Sequence, residues 1–337
     1  MKKHFMYLFL LCLIGFCISC SSNKNITFVQ KADQIDILAD NQLITSYVYK
    51  QENQKPIMFP VYSPSGEIVT RGFPIMPVEG ESTDHPHHRG ITFTYGNGEV
   101  NGSTFWGLPN FGSVDYDNIR LPQIKHEKVL EMKEGDKDSK LSTESLWIDK
   151  TNKPILRENR IMEFYADKDE NRIDFTITLT ALDTVVTFED TKEGMLSIRV
   201  ADWLAETPTG AQFKGKGTGE YLNAEGGKKE KEIWGKRSAW VRLEGNKNEK
   251  SIGVVIFHHP KSLNFPTYWH ARGYGCFALN PIGQFDYQKG TGVENPQRRS
   301  LQLKPGESAL FKFRMIIYEG NRDKDNLDKE FQNYSNN

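Results

Sequence analysis

Cysteine is nearly absent from this chain. Only four occur, Cys12, Cys17, Cys20 and Cys276, and three of them crowd the first twenty residues. Beyond that cluster Cys276 is alone, so an internal disulfide and a cysteine-based metal cluster are both excluded. It sits in the apolar run 274–279 and reads as a small buried hydrophobe rather than a nucleophile. Long apolar runs are scarce as well. After residue 18 nothing approaches the ~20 residues that a membrane-spanning helix needs. Charge of one sign is also missing. The 43 basic and 44 acidic residues give a formal net charge of −1, with no basic footprint for nucleic acid.

The N-terminus is the exception to this evenness. Lys2 and Lys3 precede an apolar stretch from Phe5 to Ile18, and Ser19 is small. That is the three-part build of a secretory signal, so residues 1–19 are expected to be removed. The segment Cys17-Ile18-Ser19-Cys20 resembles a bacterial lipobox. This resemblance implies lipidation of Cys20, with 20–25 as a lipidated tether and 26–337 as a single β-sandwich domain. Loss of Lys2 and Lys3 leaves 41 basic against 44 acidic residues, a net charge of −3. The expected location is the cell envelope, lipid-anchored, facing the periplasm or outer membrane.

Strand patterning fills the rest. From Arg172 to Thr180 apolar and polar residues alternate, the mark of a half-buried strand. Residues 161–166 form another candidate, and 167–171 between them reads as a hairpin turn. Ala309, Phe311, Phe313, Met315 and Ile317 line one face of a late strand. Shorter candidates are 26–30, 43–49, 89–95, 125–132, 140–148, 195–201, 238–244, 251–257 and 275–280. Only the tail, roughly 324–333, reads as helix. Many strands with little helix predict an all-β fold, a large antiparallel sandwich or barrel. Residues 203–237 show no periodicity, and so long a loop is usually functional or mobile.

Four constellations could carry chemistry. The densest is Asp84-His85-Pro86-His87-His88-Arg89-Gly90, with three of the eight histidines in four residues. Imidazoles at this spacing suit acid–base work, hydroxyl binding, or a metal ion held by His85 and His87. One or two could equally be structural, holding a loop by hydrogen bonds. The second constellation is Phe257-His258-His259-Pro260 with Tyr268-Trp269-His270-Ala271-Arg272-Gly273-Tyr274-Gly275, then Asn280 and Asp286. Aromatic faces, an imidazole, a guanidinium and amides suit a small polar ligand, although the aromatics suit a core as well. The third is the Gly-bounded loop 101–107, with Trp106 at its tip. The fourth is the run 221–227, where Glu225 is a candidate carboxylate; Asp84, Asp202, Glu206, Asp286 and Glu294 compete with it. Two motifs fail on inspection. The stretch 210–216 lacks the Ser or Thr that completes a P-loop, and no Glu follows His87 at the spacing of a cupin metal motif.

Several of these blocks occur together in order: Asp-His-Pro-His-His-Arg-Gly at 84–90, Val-Asn-Gly-Ser-Thr-Phe-Trp at 100–106, Gly-Met-Leu-Ser-Ile-Arg-Val-Ala at 194–201, Tyr-Leu-Asn-Ala-Glu-Gly at 221–226, Trp-Gly-Lys-Arg at 234–237, and the run 268–275. Over roughly 40–320 the chain resembles the bacterial family termed "methane oxygenase PmoA-like". No reaction comes with that resemblance, although its label implies metal-dependent oxygenase chemistry. A looser pattern, Arg71-Gly72-Phe73-Pro74-Ile75-Met76-Pro77 ahead of His88-Arg89-Gly90, resembles the galactose-mutarotase-like supersandwich. That resemblance favours the supersandwich over an ordinary sandwich and implies a sugar ligand.

The resulting expectation is an envelope lipoprotein acting on a small saccharide or glycan fragment, as a hydrolase, lyase or epimerase. His87, His88, His270 and Glu225 would be catalytic. His85, Arg89, Trp106, Trp269, Arg272, Asn280 and Asp286 would bind substrate. A divalent metal is a candidate cofactor, and no nucleic acid partner is expected. The alternatives are a non-catalytic glycan-binding lipoprotein and, third, the oxygenase of the family label.

Overall fold

The computed structural model describes residues 23–50, 53–107, 122–137 and 139–336. The signal segment and Cys20 lie outside them. Strands form three sheets, and every strand pairing within them is antiparallel. The first sheet has nine strands. It runs from Ile26–Gln30 at one edge through Gln34–Ala39, Gln42–Val48 and Ile57–Val61 to a centre made by Ile91–Tyr95 and Gly194–Arg199. Cys276–Asn280, Thr267–Ala271 and Arg237–Ser238 complete it. An eight-stranded sheet packs against it, built mainly from the long strands Pro154–Ala166, Glu170–Ala181 and Ser308–Glu319. A third, four-stranded sheet includes Val186–Phe188 and Asn97–Val100.

The alternation in the sequence fixes which faces meet. Along Glu170–Ala181 intermediate and buried residues alternate without a break. Phe175, Ile177 and Leu179 point into the core, and Thr176, Thr178 and Thr180 point away. All five apolar residues read along the late strand, Ala309 to Ile317, are buried. Phe93 of the nine-stranded sheet meets Phe311 edge-on at 5.4 Å between ring centroids. Such aromatic pairs add about 1 kcal/mol beyond their buried area. The turn at 167–170 forms as expected, because the Asp167 carboxylate accepts the backbone N–H groups of Asp169 and Glu170. That is the local bond for which Asp is favoured in turns.

Two features differ from the sequence reading. The aperiodic stretch 203–237 is not one loop. It contains the end of a 3-10 turn, Asp202–Leu204, the strand Glu220–Asn223 and the short helix Lys229–Ile233. Each is too short to show a period. The strands Gln34–Ala39 and Ile57–Val61 were not expected as strands. Ile57–Val61 is buried nearly throughout, so it lacks alternation. The tail helix is Lys324–Ser335, capped by the Asp323 carboxylate on the Asn326 N–H.

The outer face of the nine-stranded sheet is what matters for the site. Its inner face carries Phe93, Leu196, Ile198, Phe277, Leu279 and Trp269. Residues at alternate positions, including Thr92, Ser197, Arg199, Ala278 and His270, therefore face outward. The connection 62–90, between Ile57–Val61 and Ile91–Tyr95, folds over this outer face.

Candidate functional site

Arg71 organises the loop that carries the histidines. It is almost fully buried, and its guanidinium donates to the carbonyl oxygens of Asp84 at 2.6 Å, His85 at 2.9 Å and His88 at 3.1 Å. A guanidinium has five rigid donors, so one side chain can fix three turns of backbone at once. His85 has φ +42°, a left-handed conformation rare outside glycine. The His88 N–H closes the turn on the His85 carbonyl. Nearby, buried Asp202 accepts the N–H and hydroxyl of Ser82 and the N–H of Gly210.

Asp84 sits at the centre of this loop. Its Oδ1 lies 2.9 Å from His85 Nδ1, 2.9 Å from an Arg199 nitrogen and 3.2 Å from one of Arg71. Its Oδ2 accepts the Thr209 hydroxyl at 2.7 Å. Burial alone would raise its pKa, but these donors hold the carboxyl well below the usual carboxylate range. The negative charge fixes one nitrogen of His85 and leaves the other, Nε2, for the cavity. The His85 side chain keeps 46% of its exposure. Its ring lies parallel to those of His88 and Tyr274, at 5.0 and 5.1 Å.

The opposite wall comes from the hairpin around residue 270. Alternation along Thr267–Ala271 puts Trp269 and Ala271 in the core and turns His270 outward. The Trp234 indole N–H donates to His270 Nδ1 at 3.3 Å. In its neutral form His270 therefore carries its proton on Nε2. Past the strand, Arg272 pairs with Glu230 at 2.7 Å. Together His85, His87, His88, His270, Arg272 and Tyr274 line one cavity of 410 Å³ with Asn97, Lys192 and Glu193. The two histidine blocks, about 180 positions apart in sequence, thus share one site.

Burial keeps most of these imidazoles neutral. It pushes His87 down to about 2 and His270 to about 3, and it holds His88 well below the ordinary histidine range. Lys55 contributes to the effect on His87, Arg272 to that on His270, and the neighbouring His87 to that on His88. His88 is only 8% exposed, and neither of its ring nitrogens has a hydrogen-bond partner. The indole nitrogen of Trp106, packed edge-on against His88, is also buried without a partner. Unpaired buried polar atoms cost about 1–3 kcal/mol each, and at the wall of a cavity they are where a ligand gains most.

The remaining expected site residues are placed differently. Trp269 is wholly buried, with its indole N–H on the Ser238 carbonyl, so it cannot stack on a ligand. Trp106 backs His88 and packs with Cys276 and Ala278. Arg89 turns away to the Pro86 carbonyl and the Asn53 side chain. Asn280 is a buried hub, donating to Thr191 and accepting from Ile282 and Gly283. Asp286 stands behind the cavity and accepts the Lys192 N–H. Glu225 is exposed and has its charge neighbour, Lys324, on the tail helix. Nothing brings Glu225 to the histidines. His258 is buried between Phe265 and Phe313, away from the cavity. The Cys276 thiol is buried and free, and burial pushes it up to about 12.

The expected metal pair, His85 and His87, stands edge to face at 5.7 Å between ring centroids, with Asp84 on His85 Nδ1. Among the described residues no three His, Cys, Asp or Glu side chains are grouped to hold an ion.

Sequence reading missed Arg71, Arg199, Lys192, Glu193 and Lys55. Lys55 is buried and donates to the carbonyls of Phe105 and Trp106, and so fixes the segment that backs His87 and His88. Arg71 and Arg199 lie within quoted blocks, but nothing in those blocks marks either as a site residue, and Lys55, Lys192 and Glu193 belong to no motif.

Among solved structures, the chain is similar to a polysaccharide lyase, at 10% identity and TM-score 0.34 over 91% of this chain and 34% of that one. It is similar to a β-arabinopyranosidase at 9% identity and TM-score 0.33, over 88% and 38% of the two chains. It thus spans little more than a third of either enzyme. A galactose mutarotase related enzyme from Lactobacillus acidophilus is similar at 12% identity and TM-score 0.30, over 88% and 97%. At such scores the likeness carries no assignment of activity. No curated protein matches the sequence. The quoted blocks all fall within a match spanning residues 34–332, and the family matched there is described only as one of unknown function, which does not show the expected PmoA-like family. The chain belongs to that family, DUF6807.

Proposed function

We propose that the histidine cavity is the active site of a carbohydrate-acting enzyme that works by proton transfer. The observation carrying this reading is the division of labour among the imidazoles. His85 is partly exposed and oriented through Nδ1 by the ionised Asp84. That is the arrangement of a general base or acid whose partner carboxylate holds its tautomer. His87, His88 and His270 stay neutral; His88 offers both a donor and an acceptor, while His270, whose Nδ1 accepts from Trp234, offers its Nε2–H donor. Such groups pair with hydroxyls, which also donate and accept. Lys192 and Arg272 add fixed donors, and the Tyr274 ring offers an apolar face. The cavity volume falls within the range of ordinary ligand sites.

His85 therefore takes the proton-carrying role in this proposal, with the neutral histidines as binding groups. Hydrolysis, elimination and epimerisation all need such a proton carrier. The non-catalytic alternative loses its main support, because both tryptophans that would stack a sugar are buried. Oxygenase chemistry would need a metal-ligand set that the described residues do not form.

The test is turnover of neutral and acidic glycan pools by the full chain, compared with Asp84→Asn and His85→Ala. Activity should fall by at least about 100-fold in both variants, as when a triad loses its orienting carboxylate. Full activity in His85→Ala would sink the assignment. We further propose that the protein acts as an envelope lipoprotein, with residues 1–19 removed and Cys20 acylated, the rest forming one β-sandwich domain on a short tether.

A further inference from the structure

The cavity does not end at Arg272. Glu230, its ion-pair partner, lines a separate groove of 610 Å³ on the far side. The Arg272–Glu230 pair joins their linings. Gly273 donates its N–H to the Glu230 carboxylate at 2.6 Å and accepts the Thr207 N–H at 2.7 Å. A Cβ at Gly273 would lie 2.3 Å from the Thr207 hydroxyl oxygen, so the close approach requires glycine. Glu206 and Thr207 line this groove and also a further hollow of 430 Å³ beside it. The segment that follows them returns to the cavity, where the Thr209 hydroxyl binds Asp84. One stretch of chain therefore borders both the proton-carrying pair and the outer groove.

The lining chemistry narrows the ligand. Three carboxylates, Glu206, Glu220 and Glu230, face three amines, Lys214, Lys229 and Lys231. Opposite charges in equal number give no net pull on a polyanion or polycation. Threonines and glycines make up most of the remainder, with no large apolar side chain to hold a hydrophobic peptide or lipid. Alternating strong acceptors and donors suit a chain of uncharged hydroxyl groups. Glu206 is also raised above its ordinary pKa by burial and by the Glu230 charge.

We infer that the histidine cavity is the terminal subsite of a longer cleft, and that the groove beyond Arg272–Glu230 binds further units of an uncharged oligosaccharide. The inference rests on the carbohydrate reading of the cavity. Calorimetric titration of the full chain with neutral gluco-, galacto-, manno- and xylo-saccharides, from mono- to hexasaccharide, tests both. The wild type should bind a trisaccharide at least about tenfold more tightly than its monosaccharide, a difference of about 1.4 kcal/mol. Exposed Lys214→Ala with Lys231→Ala should abolish that gain and leave monosaccharide affinity unchanged. His88→Ala should weaken every length. Equal wild-type affinity at all lengths, still lost in His88→Ala, overturns the cleft and leaves the cavity reading intact. A length gain that survives the lysine variant also overturns the cleft. Failure of every saccharide to bind overturns both readings.

Discussion

The Asp84 carboxylate meets His85, Arg71, Arg199 and Thr209 at once. The two arginines are nearly inaccessible to water. Replacing Asp84 by Asn preserves shape but leaves the arginines without their shared anion. Breaking a buried pair from one side costs about 3–5 kcal/mol, and partial exposure of Asp84 reduces this. Asp84→Asn should therefore lower stability by about 2 kcal/mol, measured by urea unfolding, as well as removing activity. Stability equal to wild type would mean that the arginines are satisfied elsewhere.

Buried histidines set a second residue-scale expectation. His258 is pushed down to about 3, and His270 likewise. In the unfolded chain both take a proton near pH 6.5. Folded, they stay neutral until about pH 3. The unfolded state therefore binds more protons across that window, and stability falls as pH drops through it. Each group steepens the slope by up to about 1.4 kcal/mol per pH unit. His258 packs between Phe265 and Phe313, so His258→Leu should fold well at neutral pH and flatten the decline in melting temperature. An unchanged acid slope in that variant would contradict the neutral, buried assignment.

At the scale of elements, the loop of residues 71–90 has no regular hydrogen bonding of its own. Arg71 supplies it from beneath. Arg71→Lys keeps the charge but cannot reach three carbonyls in a plane. This change should cost about 3 kcal/mol and weaken saccharide binding along with it. An intact binding site in Arg71→Lys would show that Asp202, together with Glu81, whose carboxylate accepts the N–H groups of Gly72 and Phe73, suffices to shape the loop. Long strands with one buried face were legible: Arg172–Thr180 alternates in sequence and in the structure, whereas the six residues of Gln34–Ala39 alternate in burial but are too few to stand out. Ile57–Val61 was not, because burial on both sides erases the period. His270 was recognised as a site residue, but its neighbour Trp269 was assigned to the same site as a substrate-binding group. In a strand, adjacent side chains point to opposite faces, and the indole belongs to the core.

For the whole molecule, the blocks 84–90 and 268–275, separate constellations in the sequence, line one cavity. Glu225 failed because a polar loop in sequence carries no information about which end of a sheet it occupies. The charged residues that complete the site come from four distant segments and could not be read locally. Cys20 lies outside the described residues and belongs to the proposal. In cells fed a clickable fatty acid, the wild type should carry the label and pellet with membranes. Cys20→Ser should lose the label and become extractable without detergent, and a labelled Cys20→Ser protein would refute lipidation at that residue.

The central claim is that neutral, buried histidines receive a hydroxylated ligand in this cavity. Nitrogen-15 NMR of histidine-labelled protein reads it directly, because imidazole nitrogen shifts report both protonation and hydrogen bonding. Near neutral pH, the His88 and His270 ring nitrogens should show the neutral pattern and shift when saccharide is added, without gaining a proton. Charged His88 or His270 in the free protein, or shifts untouched by a saccharide that binds, would contradict the account.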